Sequence, residues 1–183
     1  LTSSSCEVPR IFDKSLSNVK SKGIFKSVTS QILTNDDKNN KIINITVEEK
    51  PTGEIFAGVG TGTGGSSLSA GLKEKNYLGK GITLDTNFAL SDDEIRGKFS
   101  VINPNFKNTD RSLNTTIEST TSDFMSSSGY KTTRTAVSLG TGVEQYQDVF
   151  VNFDISNYYE KLVTSDKVTD IKKKQEGDYF ENL

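Results

Sequence analysis

The stretch Ile55–Leu72, "IFAGVGTGTGGSSLSAGL", decides how this chain folds. Glycine takes every second position from Gly58 to Gly64, and leucine and serine then alternate. A phosphate-binding loop would need a helix directly after the glycines and a Gly-Lys-Ser/Thr sequence. Instead "SSLSAGL" has the period of a strand. Two readings stay open. In one, the glycines form a hairpin turn around Gly62–Gly65. In the other, they strip one face of a strand. Ile55, Ala57 and Val59 then point one way, and Phe56, Gly58, Gly60, Gly62 and Gly64 point the other. Glycine in a strand costs about 0.5–1 kcal/mol relative to alanine. Such a strand pairs weakly, and as the first of its sheet it is an edge that can accept another strand.

The period of two continues downstream. Leu68, Ala70 and Leu72 oppose Ser67, Ser69, Gly71 and Lys73. Ile82, Leu84, Phe88 and Leu90 oppose Thr83, Asp85, Asn87 and Ala89. The same alternation covers 95–101, 113–118, 135–139 and 149–156, so about seven strands are expected, counting Glu54–Thr61. Between them, Lys75–Gly81, Asn103–Arg111 and Gly140–Asp148 read as compact turns carrying Tyr77, Phe106 and Tyr146. Ser119–Gly129 and the Lys-rich Glu160–Gly177 read as longer polar loops. Strands with one apolar face suit a soluble sheet or a membrane barrel. Aromatic-bearing turns alternating with longer loops favour the barrel. A soluble sandwich would instead gather Leu68, Leu84, Phe99, Val137 and Phe153 into a shared core.

Upstream the pattern differs. Phe12, Leu16 and Val19 predict a helix over 12–22, stopped by Gly23. Ile24–Ile32 and Lys41–Lys50 read as two strands joined by the polar loop Leu33–Asn40. Pro51 and Gly53 mark a boundary. The expected organisation is an unassigned segment 1–11, an α/β module 12–52 and a β region 53–183.

Composition excludes several classes. The 183 residues carry a net charge of −2, which gives no support to a nucleic-acid partner. No stretch approaches the ~18 apolar residues of a membrane helix. Histidine is absent, so histidine general bases and histidine metal ligands are absent too. Cys6 stands alone, without a partner for an internal disulfide or a zinc cluster. The start "LTSSSC" loosely suggests a lipoprotein box but lacks the basic and apolar regions of a signal peptide. Asp92, Asp93 and Glu94 read as solvated loop charges rather than catalytic carboxylates. Asp85, Arg96 and Lys98 are expected to line a lumen as paired charges, and Lys167–Lys174 to form a solvated extracellular loop. Neither an enzyme nor a cofactor is expected.

Val47–Gly81, "VEEKPTGEIFAGVGTGTGGSSLSAGLKEKNYLGKG", closely resembles the junction between the last POTRA domain and the barrel in the bacterial surface antigen family. The matching features are the "V-x-E-K-x-T-G" linker, the glycine-alternating strand and the "N-Y-L-G-x-G" turn. "VINPNF" (Val101–Phe106) and "LGTGVEQYQD" (Leu139–Asp148) look like the family's next turns. "SNVKSKGIFKSV" (Ser17–Val28) resembles the end of a POTRA module. The resemblance implies a mainly β chain: a partial POTRA module, then the N-terminal strands of a transmembrane β-barrel of about 16 strands. It implies a protein of the bacterial outer membrane, its POTRA part in the periplasm, that inserts other β-barrels there. Its partners would be unfolded outer-membrane clients, accessory assembly lipoproteins and outer-membrane lipid. The lateral-gate strand maps onto Gly53, Glu54, Ile55, Phe56, Ala57, Gly58, Val59 and Gly60. Periplasmic turns map onto Asn76, Tyr77, Leu78, Gly79 and Gly81, and onto Asn103, Pro104 and Phe106. The strands still to be supplied would need on the order of 200 more residues, so the chain is expected to be an internal fragment, inactive alone. A two-partner secretion pore or a TamA-like relative would share these features.

Overall fold

The computed structural model describes residues 4–34, 41–62, 65–146 and 149–182. The chain divides into two compact units, 1–52 and 53–183.

In the first unit, helix α1 (Ser4–Ser21) precedes an antiparallel hairpin of β1 (Phe25–Thr34) and β2 (Lys41–Glu49). The helix begins well before the 12–22 span expected. Its apolar spacing runs back from Phe12 to Val8, a continuation masked in the sequence by Pro9. Pro9 is the sixth residue of α1, and its missing N–H leaves one bond of the ladder unmade. Gly23, with φ of 69°, ends the helix by donating its N–H to the Lys20 carbonyl. In the hairpin, Val28 pairs with Val47 and Ile32 with Ile43, so apolar side chains share a face. The expected loop Leu33–Asn40 gives Leu33 and Thr34 to β1, and its remainder lies outside the described residues.

The second unit is one antiparallel sheet of eight strands in sequential order. They are β3 (Glu54–Gly62), β4 (Gly65–Tyr77), β5 (Ile82–Ser91), β6 (Glu94–Asn103), β7 (Arg111–Phe124), β8 (Tyr130–Tyr146), β9 (Val149–Thr164) and β10 (Gly177–Asn182). Strand β10 is one more than the sequence suggested. The rest of the difference lies in the connections. Ser119–Gly129 is not a long loop: β7 runs on to Phe124, leaving a turn at 125–129. Glu160–Gly177 begins as β9, and only 165–176 connects, around the short helix α2 (Asp170–Lys173). Gly140–Tyr146 belongs to β8, and Gln147 and Asp148 lie outside the described residues. Gly62 and Gly65 are paired strand residues, and the residues between them also lie outside the described set.

The physical reason is visible in β7–β9. The far halves of β7 and β8 are rich in serine and threonine on both faces, which erases the period of two, and that of β9 reads "NYYEKLVT" (Asn157–Thr164). Threonine is nevertheless a strand former, because its branched Cβ fits the pleated surface. Ser119 pairs with Thr135 at 3.0 Å and Thr121 with Thr133 at 3.3 Å through their hydroxyls. These strands have 14, 17 and 16 residues, against 10 each for β5 and β6. A tilted strand crosses a bilayer in about 9–11 residues. In β7 and β8 the surplus is therefore the hydroxyl-rich part, where no lipid demands apolar side chains.

Candidate functional site

The pairing register sorts the sheet into two faces. Residues opposite one another point the same way. One row reads Ile55, Leu72, Thr86, Phe99, Ile117 and Val137 across β3–β8. The next reads Leu84, Val101, Thr115, Leu139 and Ile155 across β5–β9. This apolar face is covered by nothing within its unit. Phe153 and Ile155 are 66% and 64% exposed, and Ile24 and Leu162 are the only buried hydrophobic side chains among the described residues. A sandwich would have buried Leu68, Leu84, Phe99, Val137 and Phe153. Instead a single layer turns them outward, as a sheet in lipid does. Above the apolar rows, Tyr159 and Phe180 pack at 4.9 Å, an aromatic pair where the band gives way to hydroxyls.

The opposite face is polar and largely self-paired. Lys73 lies 3.9 Å from Asp85 and Arg96 lies 3.1 Å from Glu94. Lys98 stands opposite Glu118 in the register. Ser100 bonds Thr116 at 3.0 Å and Ser138 bonds Ser156 at 2.8 Å. The Arg134 guanidinium stacks 3.9 Å above the Tyr158 ring. Together with Arg96, Glu118 and Glu160 these side chains line a polar pocket of about 560 Å³. Two of the expected lumen charges, Asp85 and Arg96, thus have named partners. Asp92 and Glu94 hold backbone and neighbours rather than standing as free carboxylates: Asp92 accepts the Ser66 N–H at 3.1 Å.

Strand β3 is one end of the sheet and pairs with β4 alone. Its other edge offers unpaired backbone N–H and C=O groups. All nine of its residues are exposed, with Ile55 at 83% and Val59 at 85%. The glycine face of β3 is not bare, as the sequence suggested. The Ser69 hydroxyl lies 3.3 Å, and the Ser67 hydroxyl 2.9 Å, from where a Cβ would stand on Gly58 and Gly60. In return the Phe56 ring lies across Gly71, so that a Cβ there would meet the ring and come 2.6 Å from the Thr86 carbonyl oxygen. Glycine and side chain thus interlock across the two strands. At the start of the strand, Glu54 lies 4.0 Å from Lys75, and a Cβ on Gly53 would meet the Glu74 carboxylate at 3.0 Å.

The turn residues are built by asparagines. In the β4–β5 turn, the Asn76 side chain accepts the Gly81 N–H at 2.8 Å, and its backbone carbonyl accepts the Gly79 N–H at 2.9 Å. Leu78, Gly79 and Gly81 take φ of 57°, 68° and 65°, which explains the paired glycines. Tyr77 ends β4, and Leu78 projects at the tip. In the β6–β7 turn, the Asn103 side chain accepts the Asn105 N–H at 3.1 Å, and Pro104 leads into a 3₁₀ turn, Phe106–Asn108. A meander of this order brings both turns, and Tyr146 at the end of β8, to the same end of the sheet.

A one-layer, up-and-down antiparallel sheet with an apolar outer band and a polar inner face defines the transmembrane β-barrel class. A domain model described as the Omp85 superfamily domain matches residues 76–182. The chain belongs to the Omp85 superfamily, whose members are outer-membrane proteins that insert or transport proteins. Among solved structures, the fold is similar to that of BamA from Haemophilus ducreyi lacking POTRA domains 1-3. The TM-score is 0.67 at 24% identity, over 84% of this chain and 30% of that chain. At that identity the likeness is one of fold, and this chain spans about a third of the length of the solved one. No curated protein matches the chain.

Proposed function

We propose that this chain is the barrel-entry part of a factor that inserts β-barrel proteins into the bacterial outer membrane. Residues 12–52 would be the closing part of a periplasmic POTRA module, and 53–183 the first strands of the barrel. The edge strand Gly53–Gly60 would template incoming client strands. The turns at Asn76–Gly81 and Asn103–Phe106 would face the periplasm, where accessory lipoproteins and unfolded clients meet the factor.

The observation that carries this reading is the glycine face of β3, the first strand of the lipid-facing sheet, where Ser67 and Ser69 of β4 fill the room left by Gly60 and Gly58. A lone strand cannot enter lipid, because each unpaired backbone group costs several kcal/mol there. An edge already in the membrane supplies the missing partners, so pairing and insertion proceed together. No covalent chemistry is required. The small residues of β3 keep its side chains out of the way of exchange. A secretion pore of the same superfamily would share the sheet and the lumen, and client insertion separates the two readings.

The test is client insertion by the full-length gene product reconstituted in lipid vesicles. Gly58→Val and Gly60→Val, which put branched side chains where the Ser69 and Ser67 hydroxyls now stand, are expected to slow insertion about tenfold, at a cost of roughly 1–3 kcal/mol in the edge. Client insertion at the wild-type rate in both variants overturns the template role.

A further inference from the structure

Three hairpin registers are open to β3 and β4 on backbone grounds. The observed one pairs Ala57 with Ala70 and Gly62 with Gly65. Sliding β3 by two residues either way keeps Ile55, Ala57 and Val59 on the outward face, because the strand period is two. Each register closes on a pair containing glycine: Gly62–Thr63, Thr63–Gly64 or Gly64–Gly65. Two-residue hairpin turns want glycine first, or positive φ at both positions. That preference suits Gly62–Thr63 and Gly64–Gly65, so turn chemistry does not single out the observed register.

The charges do not. Glu54 reaches Lys75 diagonally at 4.0 Å in the observed register and would face it directly in one of the slipped ones. The small residues do not either. Slipped one way, Gly58 faces Gly71; slipped the other way, it faces Ser67. On the outer face the pairs Ile55–Leu72 and Val59–Leu68 exist only in the observed register, and on the inner face Phe56 distinguishes the three. In the observed register its ring covers Gly71, whose missing Cβ leaves the room. In the others it would sit opposite Lys73 or Ser69, and Gly71 would lose its cover. An aromatic ring over a glycine on the neighbouring strand is a known way to fix register.

We infer that Phe56, seated on Gly71, is the positioning residue that sets the register of the edge strand. A two-residue slip would carry the free edge about 6.7 Å along the sheet. Resting on the reading of β3 as the pairing edge, this means that Phe56 sets the frame in which an incoming strand is paired.

The experiment uses the full-length gene product in its native membrane, with other cysteines changed to serine. Ala57→Cys is combined with Ala70→Cys to report the observed register, and with Leu72→Cys or Leu68→Cys to report the slips. With Phe56 present, oxidation is expected to bridge 57 to 70. Phe56→Ala, and Gly71→Ala, which evicts the ring, are expected to raise the slipped bridges about fivefold against the observed one. Phe56→Tyr is expected to restore the wild-type pattern. If Phe56→Ala does not accumulate, Phe56→Leu is measured by the same criterion. An unchanged bridging pattern in the ring-less variants overturns the inference, as does a Phe56→Tyr pattern equal to that of Phe56→Ala. Client insertion is followed in the same membranes. Slipped bridges with slowed insertion support both readings. Slipped bridges with unchanged insertion leave the register role standing and overturn the pairing-edge reading.

Discussion

Strand β3 and strands β7–β9 share one sheet and one alternation, yet they are built for opposite ends. Strand β3 is nine residues long, exposed throughout and paired on one side. Strands β7 and β8 are paired on both sides and lengthened by hydroxyl-rich segments that bond across the ladder. On β3, mass has been removed from the inner face and returned by the neighbour, through Ser67 and Ser69. In β7–β9, backbone pairing continues beyond the reach of lipid. The contrast teaches that apolar alternation marks where the bilayer is, whereas pairing length marks where the protein is. The two coincide in β5 and β6 and separate in β7–β9.

The comparison breaks most sharply on the outer face. Phe153→Arg or Val137→Arg is expected to cost about 2–4 kcal/mol if these positions lie near the bilayer midplane. Ala136→Arg, on the inner face and opposite Glu118 in the register, is expected to fold nearly as the parent does. Urea titration of the folded full-length protein in vesicles measures the difference. Equal stability of the outward and inward variants would remove the lipid assignment.

A smaller effect separates crowded from open glycines. Gly71→Ala is expected to destabilise by about 1–3 kcal/mol, because the Thr86 carbonyl cannot swing aside as a side-chain tip can. Gly97 points outward with nothing within 4 Å of its missing Cβ. Gly97→Ala is expected to stabilise β6 by about 0.5–1 kcal/mol through the unfolded chain. The same titration reads both, and opposite signs are the expected result.

How much of this was legible in the sequence follows from the same contrast. Strands β4–β6 were plain because lipid forces Leu68, Leu84 and Phe99 onto one face and leaves serines and charges on the other. The far halves of β7 and β8 were not, because outside lipid both faces accept threonine and serine, and "STTSD" then reads as a loop. Strand β10 was missed because its six residues are too few to show a period. The early start of α1 was hidden by Pro9. At the candidate site, the glycine alternation announced an unusual strand, but what fills the glycine face depends on register. Gly71 and Phe56 lie on different strands, and the glycines between them do not single out one pairing. No local signal could join them.

The smallest expected effect sits in the 165–176 connection. Asp166 and Lys173 form an ion pair at 2.7 Å across it. The hydrogen bond from Lys173 holds the Asp166 carboxyl below its ordinary value, helped by the lysine charge. The same bond, with the aspartate charge, raises Lys173 above the ordinary lysine value. A depressed carboxylate contributes fully above its unfolded value and loses that contribution as pH falls through the folded one. A raised lysine contributes fully below its unfolded value and loses it as pH rises through the folded one. The pair therefore holds the connection steadily across neutral pH and lets go only in acid below the ordinary aspartate range, or in strong base. Both side chains are open to water, so salt weakens the effect and its contribution to stability is slight. Carbon-13 titration of the Asp166 carboxyl is expected to give a midpoint below that of ordinary aspartate, returned toward it by Lys173→Gln or by high salt. A midpoint indifferent to both would mean that this connection, unlike the β3 edge and the β7–β9 ladder, is ordered by its backbone alone.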